Sequence, residues 1–185
     1  MPEDVTAHAR PSWDDYYAHI AWVVSSRSNC LRRHVGALIV VRRSIVSTGY
    51  NGTPFGVKNC DEGGCPRCAS DLPRQAGYDW CLCVHAEQNA IALAARQGTA
   101  TEGASLYVTL RPCFSCLKEA VQAGIRTIVY DQPFDYDPAI EPAYQQLLVE
   151  SGVAMRQYAY SGAHPGAAHL GNPTRDHGPE MPPDA

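Results

Sequence analysis

The sequence predicts an α/β fold in which a mixed β-sheet carries helices on its faces. Two short apolar runs, 35–41 and 44–50, are separated only by Arg42 and Arg43, which reads as a β-hairpin and so as an antiparallel pair. Beyond residue 85, helical and strand periodicities alternate, the pattern of strands joined by helices. The 185 residues, 45% of them hydrophobic, are enough for one domain with a substantial core but too few for two ordinary ones.

Residues 1–10 are polar and lack periodicity. Ser12 is a good N-cap, Asp14 and Asp15 suit a first turn, and Trp13, Tyr16, Tyr17, Ile20, Val23 and Val24 recur at helical spacing. A helix is expected from there to about residue 28, with its aromatics in the core. VGALIVV and the β-branched SIVSTGY form the hairpin. Residues 51–80 are rich in Gly, Pro, Cys and charge, and too long for a bare connection in a compact domain unless the segment is functional or held. Its cysteines are the obvious means of holding it. A helix follows through Ala95 and stops at Gln97-Gly98, with Gly98 as C-cap. SLYVTL (105–110) reads as a strand delivering 112–116 to the next helix, which Gly124 ends. RTIVYD (126–131) is a strand, EPAYQQLLVESG (141–152) a helix and VAMRQYAY (153–160) the last strand. The Gly-, Pro- and His-rich stretch 161–185 is expected to be a disordered tail on a 1–160 domain, with His164, His169 and His177 solvated rather than ligands.

Two stretches carry chemistry, CVHAEQNA at 83–90 and LRPCFSC at 110–116. His85, Cys113 and Cys116 supply one imidazole and two thiolates, a borderline-soft set that leaves the fourth position of a tetrahedral zinc open to water. On a helix Glu87 points away from His85, badly placed to share the metal and free to carry protons. Cys113 and Cys116, three apart, share one face of a helical turn with Pro112 in the first turn, and a helix N-terminus there favours both thiolates. H-x-E followed by P-C-x-x-C is the zinc deaminase signature, met here as His85-Ala86-Glu87 and 112–116. The bland alternative, a structural zinc or a buried cysteine pair, suits a lone C-x-x-C but leaves Glu87 without a purpose.

Composition narrows the partners. A net charge of −4 and a pI near 5.9 exclude the basic footprint that long nucleic acid requires. No run reaches the roughly 18 apolar residues of a membrane span, and the first residues lack the order of a signal peptide, so a cytoplasmic protein is expected. In a reducing compartment eight cysteines with C-x-x-C spacing favour metal over disulfides.

SNCLRRHVGALIV, STGYNGTPFGVKNCDEGGCPRC, CLCVHAEQNAI, GASLYVTLRPCFSC and QAGIRTIVY, in this order over roughly residues 12–158, resemble the deoxycytidylate (dCMP) deaminase family of the cytidine deaminase superfamily. GYNG and CDEGGCPRC resemble its fungal and phage branch. The resemblance implies a cytidine deaminase-like three-layer α/β/α sandwich with a mixed five-stranded sheet, usually assembled as a homohexamer. It also implies zinc-dependent hydrolysis of dCMP to dUMP and ammonia, often activated by dCTP and inhibited by dTTP, with Mg accompanying the allosteric nucleotide. Zinc on His85, Cys113 and Cys116 would bring the pKa of water toward about 7, and Glu87 would be the catalytic proton carrier.

Asn51 resembles the family's nucleotide-contacting asparagine; its alternative reading is a turn residue in Asn-Gly. Arg96 matches a position associated with nucleotide regulation or subunit contacts in phage relatives, and unaided it reads as a solvated helix end. Arg27, Arg32, Arg33 and Arg111 are unranked candidates for a phosphate. Phe134 departs from the pattern, standing where the family has a substrate-contacting Tyr and so removing a hydrogen bond typically worth about 0.5–1.5 kcal/mol. Tyr136 is a candidate replacement. The departure leaves open a 5-substituted dCMP, dCTP, a nucleoside or a free base as substrate, and a zinc-stabilised binding module is the non-enzymatic alternative.

Phage relatives also carry a second, structural zinc, whose cysteines match Cys30 and Cys60 and whose Glu ligand falls at Cys83. A His of that set has no counterpart here. The reading favoured is a closed site on Cys30, Cys60, Cys68 and Cys83, with Cys65 and Cys81 as alternates and unmetallated thiols as the other outcome.

Overall fold

The computed structural model describes residues 10–73, 76–135, 137–160 and 162. The tail apart from Gly162, the three tail histidines and Tyr136 lie outside the described residues. Five strands form one sheet in the order β2-β1-β3-β4-β5: β1 (Gly36–Val41), β2 (Ser44–Tyr50), β3 (Ser105–Leu110), β4 (Thr127–Gln132) and β5 (Ala154–Gln157). β1 is antiparallel to β2 and β3, whereas β3, β4 and β5 run parallel, so the sheet is mixed.

Alternation along β1 sorts the two sides. Leu38 and Val40 join Tyr17 and Ala21 of α1 (Trp13–Ser25) in one core. Ala37 and Ile39 face the other core, which receives α2 (Ala86–Arg96), α3 (Phe114–Gln122) and α4 (Glu141–Ser151). The result is a three-layer sandwich, one helix against three. No helix among the described residues is long and apolar enough to cross a membrane.

Small residues let the layers close. A Cβ at Gly49 on β2 would lie 2.1 Å from the Ala86 carbonyl oxygen and 2.4 Å from the Ala90 nitrogen, so only glycine allows α2 to lie directly on that strand. Gly36 does the same for α1, where a Cβ would come within 2.0 Å of the Ala21 carbonyl. The hairpin turn puts Arg42 and Arg43 at φ 48° and 67°, a backbone that side chains seldom adopt, and the Tyr17 hydroxyl holds it by donating to the Arg43 carbonyl at 2.8 Å.

Three expectations shift. α1 stops at Ser25 rather than near 28, because the Ser25 and Ser26 hydroxyls donate to the carbonyls of Trp22 and Val23 and offer the backbone an alternative to further helix. Trp13, Tyr16 and Val23 are 49%, 44% and 44% exposed, so only part of that helix's apolar set is core; Tyr17 and Trp22 are buried, with the Trp22 indole donating to Asp131 at 2.7 Å. β5 ends at Gln157, since the Tyr160 N–H goes to the Asp131 carboxylate in place of a ladder carbonyl.

Candidate active site

His85 and Cys113 are each the N-cap of a helix rather than residues within one. His85 precedes α2 in extended conformation (φ −73°, ψ 159°), and its N–H donates to the Gln88 side chain at 3.0 Å. Gln88 in turn donates to Glu119 of α3 at 2.8 Å, coupling the two helix starts. Cys113 caps α3, its sulfur accepting from the Cys116 N–H at 3.3 Å. Pro112 therefore stands before the helix, not in its first turn, and its carbonyl accepts from the buried Tyr144 hydroxyl at 3.0 Å. The two cysteines converge because one caps the turn from which the other projects.

Nδ1 of His85 lies 3.4 Å from the Cys113 sulfur and 3.3 Å from that of Cys116, and all three donor atoms fall within 4.8 Å of one another. Tetrahedral zinc with bonds of about 2.0–2.1 Å to nitrogen and 2.3 Å to sulfur sets such edges near 3.5 Å, so the donor set fits zinc in spacing and in softness. Both sites sit at helix N-termini, whose partial positive charge favours thiolate. The Cys113 thiol is held down to about 4, chiefly by the Cys116 thiol beside it. Burial would lower His85, but the neighbouring Cys113 and the Glu87 charge outweigh it and raise it to about 9.

Glu87, on the first turn of α2, is 4% exposed, and burial pushes its carboxyl up to about 7 against the opposing pull of His85. A carboxyl poised near neutrality beside a three-donor metal set is equipped to take and return protons. It faces a cleft of about 580 Å³, within the size range of small-molecule sites.

The other predicted residues divide. Asn51 is buried in the cleft wall, where Oδ1 accepts from the Ser28 hydroxyl and the Val35 N–H, both at 2.8 Å, and Nδ2 donates to the Arg33 carbonyl at 2.8 Å. It thus anchors the entry to β1, with one Nδ2 hydrogen left over among the bonds of the described residues. Phe134 also lines the cleft, with the Arg33 guanidinium 4.8 Å from its ring centroid. Arg111 is on the wall but engaged with Glu141 at 2.8 Å. Arg32 is buried and spends its donors on the carbonyls of Cys68, Ser70 and Leu72. Arg27 and Arg96 are exposed and outside the cleft, Arg96 in the last turn of α2.

Two contributors had no motif to announce them. Arg67 and Tyr78 come from the long cysteine-bearing segment, which folds back so that the Arg67 guanidinium stacks 4.7 Å from the Tyr78 ring and Tyr78 meets the His85 ring edge-on at 6.2 Å. Only the excessive length of that segment hinted that it belonged to a site. A two-way bridge between Gly52 and Val84 ties its start to the residue just before His85. Cys30, Cys60, Cys68 and Cys83 form one quartet of mutually close sulfurs, and Cys65, Cys68, Cys81 and Cys83 form another.

Comparison with known proteins agrees with this geometry. Residues 11–132 match the family model described as the cytidine and deoxycytidylate deaminase zinc-binding region. The deoxycytidylate deaminase of Schizosaccharomyces pombe is 42% identical over 80% of this chain, which spans only 45% of that protein's length. That of Mycobacterium phage D29 is 40% identical over 66% of this chain and 96% of its own. The crystal structure of the dCMP deaminase from cyanophage S-TIM5, in complex with dCMP and dUMP, superposes with a TM-score of 0.62 at 30% identity, covering 82% of this chain and all of that one.

Proposed function

The chain belongs to the cytidine and deoxycytidylate deaminase family, and we propose that it is a zinc-dependent deaminase converting dCMP to dUMP and ammonia. The observation that carries this is Glu87, a buried carboxyl raised to about 7 in the wall of a cleft, beside a three-donor set that satisfies zinc without it. A structural metal needs no such carboxylate.

His85, Cys113 and Cys116 would hold the ion. Bound there, zinc would supply the acidity that makes a water nucleophilic at neutral pH. The remaining chemistry falls to side chains. Glu87 accepts a proton from the water attacking C4 of the ring and delivers it to N3, making that carbon more electrophilic. Glu87 then carries the water's second proton to the exocyclic nitrogen, the C4–N bond breaks, N3 keeps its proton, and ammonia leaves a carbonyl oxygen at C4. Atoms balance as dCMP plus water to dUMP plus ammonia.

The monophosphate reading is supported by the deoxycytidylate deaminases among the relatives and by Arg33, placed over Phe134 in the cleft wall. Asn51, with its remaining amide hydrogen, and the Phe134 face would receive the sugar and base. Exposure of Arg96 at the end of α2 suits a contact between subunits or with a regulatory nucleotide, in a homohexamer responsive to dCTP and dTTP. Glu87→Gln should keep the site's zinc by metal analysis while turnover falls by about 10²–10⁴, the span of a proton-transfer catalyst. Near-normal ammonia release from that variant would refute the role given to Glu87.

A further inference from the structure

The reaction uses only two of the eight cysteines, and the other six meet in one place. We propose that they form a binuclear thiolate cluster holding two zinc-class divalent ions, with Cys68 and Cys83 bridging, Cys30 and Cys60 completing one ion and Cys65 and Cys81 the other.

The two quartets of close sulfurs share two members, Cys68 and Cys83, and together include all six residues. Tetrahedral zinc with bonds of about 2.3 Å sets its sulfurs about 3.8 Å apart. The Cys30–Cys68 and Cys68–Cys83 edges of the first quartet are each 3.8 Å. In the second, Cys65–Cys81 is 3.8 Å and Cys68–Cys81 is 4.0 Å. Two tetrahedra sharing the Cys68–Cys83 edge account for every one of these contacts. These separations are nearly twice a disulfide's sulfur–sulfur bond, and all six are free thiols.

A single ion would serve the assembly poorly. It would leave two more thiols within contact distance of its ligand sulfurs, in a region where five of the six cysteines are buried. Either those two thiols stay protonated or six thiolates face one divalent cation, a buried charge of −4. Two ions reduce the sum to −2. Two buried guanidinium groups, Arg32 and Arg67, lie against the same segment, Arg32 donating to the Cys68 carbonyl at 3.3 Å and Arg67 to the Ala76 carbonyl at 3.1 Å. Their charge offsets what the ions leave.

The cluster also explains why a segment of this length takes one shape. Cys30 follows α1, Cys60 through Cys81 span the long segment, and Cys83 stands two residues before His85. Metal bonds at these points would fix the segment against the strand entry and place Arg67 and Tyr78 beside His85. This site does not depend on the reaction proposed above.

Cadmium-113 NMR on the full-length protein, after exchange of its metal, tests the arrangement. We expect two resonances in the range of all-sulfur coordination, mutually split through the bridging sulfurs. The double variant Cys65→Ser, Cys81→Ser should lose one of them, together with the splitting of the other. One all-sulfur resonance, or two without mutual splitting, would overturn the cluster. So would fewer than eight free thiols in protein denatured without reductant. A site of one nitrogen and two sulfurs appears as a separate, unsplit signal, and its absence would count against the catalytic reading while leaving the cluster standing.

Discussion

Glu87, Arg33 and Phe134 each carry a distinct consequence. Burial, only partly offset by the pull of His85, gives Glu87 its raised proton affinity, so that affinity follows from where α2 starts. Arg33, in the cleft wall over Phe134, is the arginine proposed to meet the phosphate. Arg33→Ala should raise KM for dCMP by roughly 10- to 150-fold, the range of a charged hydrogen bond worth about 1.5–3 kcal/mol, and leave deoxycytidine kinetics unchanged. An equal loss for both substrates would mean that Arg33 only supports the fold through Phe134. Phe134 stands where the resemblance implies a substrate-contacting Tyr, so Phe134→Tyr should lower KM for dCMP by up to about tenfold through a hydrogen bond worth about 0.5–1.5 kcal/mol. A KM that stays put or rises would show that the cleft is shaped for the bare ring.

At the scale of elements, the site rests on how closely α2 lies against β2. Gly49→Ala would drive a methyl group against the Ala86 carbonyl, next to the start of the helix that bears Glu87. We expect destabilisation of about 1–3 kcal/mol by thermal denaturation, with a fall in kcat larger than the change in KM. Unchanged stability would mean that α2 can slide along the sheet. The sequence made the elements legible where a short run was bounded by turn residues: β2 and β3 occupy the stretches SIVSTGY and SLYVTL read as strands, and α4 ends at Gly152, whose φ of 68° favours glycine. It was misleading at helix boundaries. His85 and Cys113 read as helical residues because spacing cannot separate a cap from a first turn, and α1 was overextended because serine back-bonding leaves no periodic trace.

Across the whole molecule, the starts of α2 and α3, the entry to β1 and the long cysteine-bearing segment between β2 and α2 line the cleft. The trio His85, Cys113 and Cys116, whose donor atoms could hold a metal, and Glu87 were legible because they form two short motifs. Arg67 and Tyr78 were not, since their approach to His85 depends on a segment whose path is set by contacts distant in sequence. Asn51 shows a middle case: the motif marked it, but only its partners Ser28 and Val35 reveal that it braces the strand entry as well as facing the cleft. The central claim, deamination of a cytosine nucleotide, is tested most directly by ammonia release across dCMP, CMP, dCTP, deoxycytidine, cytosine, 5-methyl-dCMP and guanine. The predicted result is release from dCMP with equimolar dUMP and little from unphosphorylated compounds; preference for deoxycytidine or cytosine, or no release from any of them, would contradict it.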